Sequence, residues 1–318
     1  MNRNAHIFTF FLLVGGFAES AQADLVSTTR LTNVIQWAQK HPKLSVGGTV
    51  ATVGLIGIAI LLFKRHKKVR QLRAISYFNE GLACESNNDY QGAAERYKEA
   101  ADRGSVGAQY NLGLLYLRGE GVEKDPNEAA KLLKQAADQG DVQAQNNLGY
   151  LCEEDVAVAG KYGPAASWYE KAAQEGYNLA QCNLGFLYEE GKGVKQDLNT
   201  AAFWYEKAAK QGNVEAQNNL GCLYLRGEGV EKDPNEAAKL FGQAADQGYA
   251  TAQFNLGDCY ETGNGVGKSL EKAINLYKQA APSYEPAQQA LERLLKSDAS
   301  SASSQSSSSM SASASSAV

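Results

Sequence analysis

The residues that come closest to a ligand-binding motif are Gly263-Asn-Gly-Val-Gly-Lys-Ser269. A phosphate-binding loop needs Gly-x-x-x-x-Gly-Lys-Ser/Thr after a β-strand, so that backbone amides can cradle a phosphate. Here Thr262 occupies the position of the first glycine, and a helical pattern precedes the segment. We therefore interpret it as a variant loop between two helices.

Acidic pairs, cysteines and histidines form no better-organised site. Glu153-Glu154 and Glu189-Glu190 are adjacent carboxylates, but neighbouring helical residues point in different directions, which favours a solvated face over acid–base chemistry. The five cysteines contain no CxxC pair for zinc, and the three histidines all lie before residue 67. A net charge of −4 argues against binding to nucleic acid, which requires a basic surface. We predict no catalytic residue, no metal, no cofactor and a protein that is not an enzyme.

Any site must be positioned by a repeated unit of 36 residues. The motif Asn-Leu-Gly begins at residues 111, 147, 183, 219 and 255, each 36 residues after the last. Self-similarity at this period is typical of a solenoid, in which each repeat contacts only its neighbours. One segment is copied outright, because Leu115–Leu132 and Leu223–Leu240 are identical and lie 108 residues, or three repeats, apart.

Each repeat predicts two helices joined by a glycine loop. In the second repeat the first helix covers Ala108 to Leu117, and the loop follows as Gly119-Glu-Gly-Val122. The second helix begins with Asp125 as N-cap and Pro126 at the first helical position, and it carries a stripe of alanines. Gly140 stands in the C′ place that ends such a helix.

The ends of the array and its third repeat depart from this pattern. The first repeat, from about Ala74 to Gly104, is shortened and passes between its helices through Asn87–Tyr90. In the third repeat Glu153–Gly163 replaces the glycine loop without changing the period. Pro282–Lys296 is predicted to be a closing cap helix. Residues 297–318, with 13 serines among 22 residues, are predicted to form a disordered Ser-rich tail.

The repeated pattern resembles the Sel1-like repeat, a relative of the tetratricopeptide repeat, over about residues 74 to 285. The resemblance implies an all-α fold, namely a right-handed superhelical solenoid of antiparallel helix pairs that serves as an adaptor for other proteins. It also implies that the first helices line the concave surface. The residues that carry it are Ala108-Gln-Tyr-Asn-Leu-Gly113, Gly119-Glu-Gly-Val122, Ala129-Ala130, Ala136-Ala137 and Gly140.

One branch of this family carries disulfide-linked cysteine pairs in its repeats, and β-lactam binding or hydrolysis has been proposed for that branch. In this sequence Cys152, Cys182, Cys222 and Cys259 fall at unmatched positions, one in each repeat. This departure argues against a β-lactam-hydrolysing enzyme, which stays as the alternative of a different class.

Three positions of the first helix differ from repeat to repeat, whereas the motif residues around them recur in each repeat. These three positions are spaced i, i+4 and i+7, so they lie on one helical face. Because the resemblance puts this face on the concave surface, we predict a partner-binding groove there. Its aromatic and acidic residues would suit a peptide or helix with apolar and basic residues. The alternative is that some of these side chains pack between helices. The predicted groove residues are Tyr110, Leu114, Leu117, Asn146, Tyr150, Glu153, Phe186, Glu189, Asn218, Leu225, Phe254, Asp258 and Glu261.

The amino-terminal residues predict export and membrane anchoring. Residues 1–23 have the layout of a signal peptide, with a basic start, an apolar run and Ala21-Gln-Ala23, and residues 24–43 would form a short exoplasmic segment. Residues 44–63 carry no charge and, at about 1.5 Å per residue, cover roughly 30 Å, which predicts a transmembrane helix. The juxtamembrane residues 64–73 include six lysines or arginines, which by the positive-inside rule places the carboxyl-terminal side in the cytoplasm.

The sequence thus predicts a single-pass membrane protein whose repeat domain, residues 74–296, lies in the cytoplasm and binds a protein or peptide partner as a scaffold. Gly47 and Ala51, four residues apart in the span, would permit weak self-association of two such helices, although glycine is also simply common in membrane helices. The alternative among binding proteins is an exported repeat domain that acts in a periplasm, a lumen or a host compartment.

Overall fold

A computed structural model describes residues 49–296, with side chains from residue 60 onward. The predicted signal peptide, the segment 24–43, the start of the predicted span and the Ser-rich tail 297–318 lie outside the described residues. The described residues form α-helices, turns and loops, without a strand among them. The chain divides into two compact units, with the boundary between Gln109 and Tyr110.

The first unit is built on two helices, α1 (Thr49–Ser86) and α2 (Tyr90–Ala101), which pack against each other. They are joined by the tight turn that the sequence predicts. In this turn Asn88 has φ of +60°, a conformation that asparagine tolerates better than most residues. The carboxylate of Asp89 then caps α2 by accepting a hydrogen bond from the backbone N–H of Gly92 at 2.9 Å.

Helix α1 has 38 residues and contains the whole basic segment 64–73. Among the residues that the structure describes, no helix combines the length and apolar character needed to cross a membrane. The predicted span 44–63 begins outside that part of the chain.

The second unit is a solenoid of helix pairs, in which the two long helices of a repeat pack on each other and on those of the next repeat. In the third repeat these two are the first and the last of its three helices. The second repeat comprises α3 (Val106–Arg118, which starts in the first unit) and α4 (Pro126–Ala137), and the third comprises α5 (Val142–Glu154), α6 (Val156–Tyr162) and α7 (Ala165–Gln174). The later repeats have one pair each: α8 (Asn178–Glu190) and α9 (Leu198–Lys210), α10 (Val214–Arg226) and α11 (Pro234–Asp246), and α12 (Ala250–Thr262) and α13 (Leu270–Ala280). A last helix, α14, covers residues 285–296, so the predicted cap helix is present but begins after Pro282.

The two copied segments adopt the same backbone conformation. Asp125 and Asp233 cap α4 and α11 with φ, ψ of −139°, 95° and −140°, 92°, and each side chain accepts hydrogen bonds from two backbone N–H groups of the first turn. The first glycine of each loop has φ of +73° at Gly119 and +72° at Gly227. The predicted Asp caps and glycine loops are therefore confirmed at both sites.

The third repeat replaces its glycine loop with a helix, which the sequence did not predict. Asp155 ends α5 and its carboxylate accepts the backbone N–H of Ala157 at 2.7 Å and of Val158 at 3.3 Å, so that α6 starts at once. Gly163, with φ of +94°, then turns the chain into α7. The extra helix fits within the 36-residue period because it takes the place of an extended loop.

In every repeat except the second, a glycine of the first helix lies against an aromatic ring of the second helix, whereas Gly113 of the second repeat lies against Leu133. A Cβ atom added to Gly149 would lie 2.8 Å from the ring of Tyr169, closer than real Cβ contacts allow, so the absence of a side chain lets the two helices approach. The same contact recurs between Gly185 and Tyr205. The core around it combines the alanines of the second helices with leucines, mostly from the first helices.

Neighbouring repeats are joined by a ladder of glutamine amides. The glutamine of each Ala-Gln motif is buried and donates its Nε2–H to a backbone carbonyl of the preceding second helix, as Gln181 does to Ala173 at 3.0 Å. In the fourth and fifth repeats its Oε1 accepts a hydrogen bond from a second glutamine, since Gln211 donates to Gln181 at 2.8 Å and Gln247 to Gln217 at 3.1 Å. Buried amides that are satisfied on both sides fix the angle between repeats.

The ladder is incomplete in the third repeat. There the residue equivalent to Gln211 is Glu175, whose carboxylate has no N–H to donate. Gln145 Oε1 is correspondingly buried without a hydrogen-bond partner among the described groups. This single acid therefore explains the orphaned carbonyl.

Replacing Glu175 with Gln should supply the missing donor and raise the free energy of unfolding by about 1 kcal/mol. The reciprocal change Gln211→Glu should lower it by about 1–3 kcal/mol, because Gln181 Oε1 then loses its donor. Chemical denaturation followed by circular dichroism measures both effects. Glu175→Ala is the control, since it removes the charge without adding a donor. Equal stability of the Glu175→Gln and Glu175→Ala variants would contradict the explanation.

Candidate protein-binding surface

The predicted groove residues come from α3, α5, α8, α10 and α12, and they fall into three rows along the array. We call the rows i, i+4 and i+7 after their spacing in each helix. Because the structure gives the three rows different surroundings, they do not form one continuous binding face.

The i row lies in the seam between repeats. Asn146 and Asn218 are buried, and their side-chain oxygens accept hydrogen bonds from Asn183 at 3.0 Å and Asn255 at 2.8 Å in the following repeat. At the ends of the row, Tyr110 OH accepts from Asn147 at 3.4 Å, and Phe254 lies against the rings of Tyr277 and Tyr284. The side chains of this row therefore pack between helices, which is the alternative stated for the predicted groove.

The acidic members of the i+7 row hold tyrosine hydroxyls of the second helix. Each glutamate side chain is largely buried, with 15–22% of its surface exposed. In the fifth repeat the second helix carries Phe241, which has no hydroxyl. Leu225 replaces the glutamate there and packs against the hydrophobic cluster that contains Phe241. Leu117 is likewise half-buried. The hydrogen bonds run from Tyr169 to Glu153 (3.2 Å), Tyr205 to Glu189 (2.7 Å) and Tyr277 to Glu261 (2.9 Å).

A basic residue from farther along the chain neutralises each of these glutamates. Glu189 accepts a hydrogen bond from Arg226 at 3.0 Å, and Glu261 pairs with Arg293 at 2.8 Å. The Arg293 guanidinium holds the pKa of Glu261 below its ordinary value. Burial, with Glu189 beside it, raises the pKa of Tyr205 well above that of a free tyrosine. The acidic patch predicted from these residues is therefore largely compensated.

The i+4 row is the part of the predicted groove that solvent reaches. The side chain of Tyr150 is 54% exposed and that of Phe186 is 36% exposed, and they occupy the same position in neighbouring repeats. Leu114 is half-buried at one end of the row, and Asp258 is exposed at the other. The row presents two accessible aromatic rings on a rigid helical surface.

Two acidic residues beside these rings were not among the predicted groove residues. Glu154 and Glu190 are exposed, and each lies four residues after an exposed aromatic residue, on the same side of its helix. Their spacing from Tyr150 and Phe186 was the available signal. The prediction instead selected the preceding glutamates, which turn inward.

The described residues show no arrangement suited to catalysis by cysteine or metal. All five cysteines are free thiols, and burial raises the pKa of Cys152 to about 11 and that of Cys182 to about 12. No group of three or more histidine, cysteine or acidic side chains in the described part could hold a metal ion. Gly263–Ser269 joins α12 to α13, and a helix precedes it, as the loop interpretation requires.

A polar cleft of about 330 Å³ lies between α9 and α11, next to α10. Two lysines line it, and each is paired with a glutamate of its own helix. Lys210 contacts Glu206 at 2.6 Å and Lys239 contacts Glu236 at 2.9 Å. The cleft thus offers no unpaired charge to a small ligand.

Comparison with known proteins identifies the repeats. The family model described as Sel1 repeat matches five consecutive segments, residues 106–141, 142–177, 178–213, 214–249 and 250–281. A search of curated proteins returned no match.

Two solved structures have a similar fold. The crystal structure of a protective antigen present in uropathogenic Escherichia coli strains, with an SLR fold, is 33% identical, with a TM-score of 0.64 over 71% of this chain and 49% of that protein. A Sel1 repeat protein from Oxalobacter formigenes is 30% identical, with a TM-score of 0.60 over 69% of this chain and 86% of that protein. This chain therefore spans about half the length of the antigen.

The pairing of tyrosine with glutamate predicts a coupled effect on stability. Tyr205→Phe alone leaves Glu189 without its hydroxyl donor, and Glu189→Leu alone leaves the hydroxyl without its carboxylate. The double variant recreates the Phe241 and Leu225 combination of the fifth repeat, so its loss of unfolding free energy should be about 1 kcal/mol smaller than the sum of the single losses. Denaturant unfolding of the four proteins measures this coupling. Additive losses would show that the contact contributes nothing.

Proposed function

The chain belongs to the Sel1 repeat family, and we propose that it is a membrane-anchored scaffold that binds a protein partner through the first helices of its repeats. The observation that carries the proposal is the pair of exposed rings, Tyr150 and Phe186, on a helical face where the predicted residues of the i and i+7 rows are largely buried or ion-paired. Accessible aromatic side chains on a pre-formed surface are the usual energetic centres of protein interfaces.

The rigidity of the surface supports binding rather than catalysis. The glycine–aromatic contacts and the glutamine ladder hold the first helices in place, so a partner would meet a surface that needs little ordering. The buried thiols have raised pKa values, and the inward-facing glutamates are engaged in ion pairs. These features favour a non-catalytic scaffold over the β-lactam-hydrolysing alternative.

Anchoring in a membrane is supported by the amino-terminal half of α1. Four consecutive apolar side chains, Ile60 to Phe63, are each 41–66% exposed, which is unusual for a helix surrounded by water. The uncharged run 44–63 ends here, and the exposed basic residues Lys64, Arg65, Lys67 and Lys68 follow. By the positive-inside rule, the repeats would then lie in the cytoplasm.

Loss of the two exposed rings should abolish partner capture. We expect Tyr150→Ala combined with Phe186→Ala to weaken binding at least about 30-fold, because each aromatic centre of an interface contributes more than about 1 kcal/mol. The measurement is crosslinking of the full-length protein in its native membrane, followed by mass spectrometry of the captured proteins. Circular dichroism establishes that the variant is folded.

Phe203→Ala is the matched control. Phe203 is 48% exposed but belongs to α9, a second helix, so its loss removes a comparable ring from a different face. A partner retained by the control and lost by the double variant supports the proposed site. A partner retained by both would place binding elsewhere.

The membrane topology can be tested separately with a tag at the carboxyl terminus. We expect the protein to remain in the membrane pellet after alkaline extraction, and the tag to be protected from protease added outside intact cells or right-side-out vesicles. Inside-out vesicles should expose the tag, and detergent lysis is the control for cleavage. Release at alkaline pH would contradict anchoring, and digestion of the tag from outside would favour an exported repeat domain.

A further inference from the structure

The third and fourth repeats differ from their neighbours on the exposed side of the first helix. At the i+4 position they carry Tyr150 and Phe186, where the flanking repeats carry Leu114 and Cys222. One turn farther on they carry Glu154 and Glu190, whereas the flanking repeats carry Arg118 and Arg226 at the equivalent position. The change therefore affects a ring and a charge together, in two adjacent repeats. The fold itself requires neither, since these side chains are exposed.

The negative charge at this site is available to a partner. Among the described residues, no lysine or arginine forms an ion pair with Glu154 or Glu190. The glutamates that precede them do have partners, since Lys192 lies 3.7 Å from Glu153 and Arg226 lies 3.0 Å from Glu189. Two uncompensated carboxylates are left beside the two rings.

The basic residues nearby are already engaged. Lys192 also lies over the ring of Phe186, with its ammonium 4.6 Å from the ring centre. Arg226 forms a second ion pair, with Glu228 in its own loop. They border the site without neutralising Glu154 and Glu190, so a cation from a partner would meet little competition.

We infer that Tyr150, Phe186, Glu154 and Glu190 form one recognition site for a peptide segment in which lysine or arginine accompanies an apolar side chain. The apolar side chain would contact the two rings, and the basic groups would pair with the two carboxylates one helical turn away. A ring also attracts a cation placed over its face, as Lys192 shows at Phe186. An acidic segment would meet unpaired like charges, which disfavour its binding. The inference rests on the proposed protein-binding function and adds the chemistry of the partner.

Two designed amphipathic peptides can test the inference without knowledge of the natural partner. Both peptides have the same apolar face of leucine and tryptophan. One peptide has lysine at every polar position, and the other has glutamate at those positions. Their binding to the full-length protein in phosphatidylcholine nanodiscs is followed by fluorescence anisotropy, with empty nanodiscs as the control for binding to lipid. We expect the lysine peptide to bind, and the glutamate peptide to bind at least tenfold more weakly.

Charge-removing variants locate the effect. The double variant Glu154→Gln with Glu190→Gln should weaken the binding of the lysine peptide about fivefold at low ionic strength. This loss of affinity should become smaller as salt is added. The matched control is Glu123→Gln with Glu231→Gln, which removes the same charge from two exposed loop positions and should change binding less than twofold. The double variant Tyr150→Ala with Phe186→Ala should weaken the binding of both peptides.

Several outcomes would overturn the inference. Equal binding of the two peptides, failure of the lysine peptide to bind, or equal effects of the site and control variants would each do so. If the natural partner is still captured through Tyr150 and Phe186 in any of these cases, the proposed scaffold function stands and only the chemistry of the partner is wrong. If capture does not depend on the rings, the proposed binding site itself fails.

Discussion

The close approach of two helices at a glycine, against an aromatic ring in every repeat but the second, is the contact on which the solenoid depends. In the fourth repeat a Cβ on Gly185 would come within 2.8 Å of the Tyr205 ring, and the same contact recurs at Gly257 and Tyr277 at 2.6 Å. Because the helices meet this closely, the tyrosine hydroxyl reaches the carboxylate of a glutamate one turn after the glycine, on the same face of the first helix. One missing side chain thus sets the helix spacing and turns a glutamate inward.

The inward orientation of the glutamate explains why the helices and loops of the repeat could be predicted from the sequence, whereas the groove could be predicted only in part. Periodicity, the Asp125 cap and the positive φ of Gly140 depend on local sequence, and the structure has all three. The environment of a side chain on an exposed-looking helical face depends on how deeply neighbouring helices approach. Asn146 and Glu189 lie on the predicted face, but one is buried in the seam and the other is held by a tyrosine. Spacing alone cannot separate such residues from Tyr150.

The third repeat shows a second limit of local reasoning. Its sequence departs visibly from the glycine loop, but the helix that replaces the loop depends on Asp155 acting as C-cap of one helix and N-cap of the next. The departure has an effect in the following repeat. Gly229 of the fifth repeat sits tightly against the backbone of α9, where a Cβ would lie 2.1 Å from the carbonyl oxygen of Leu198. The equivalent Gly193 meets nothing within 4 Å, so the loop contact is missing where α6 precedes it.

The copied segments Leu115–Leu132 and Leu223–Leu240 have a consequence for how the chain can change over generations. A deletion that joins any residue of the first segment to its counterpart in the second would remove 108 residues and create no new sequence at the junction. The cap, the glycine loop and the 36-residue period would all continue across it. The shortened protein would lack both exposed rings, because residues 142–213 fall inside the deleted part. A single recombination event could therefore remove the proposed recognition surface while leaving a regular array.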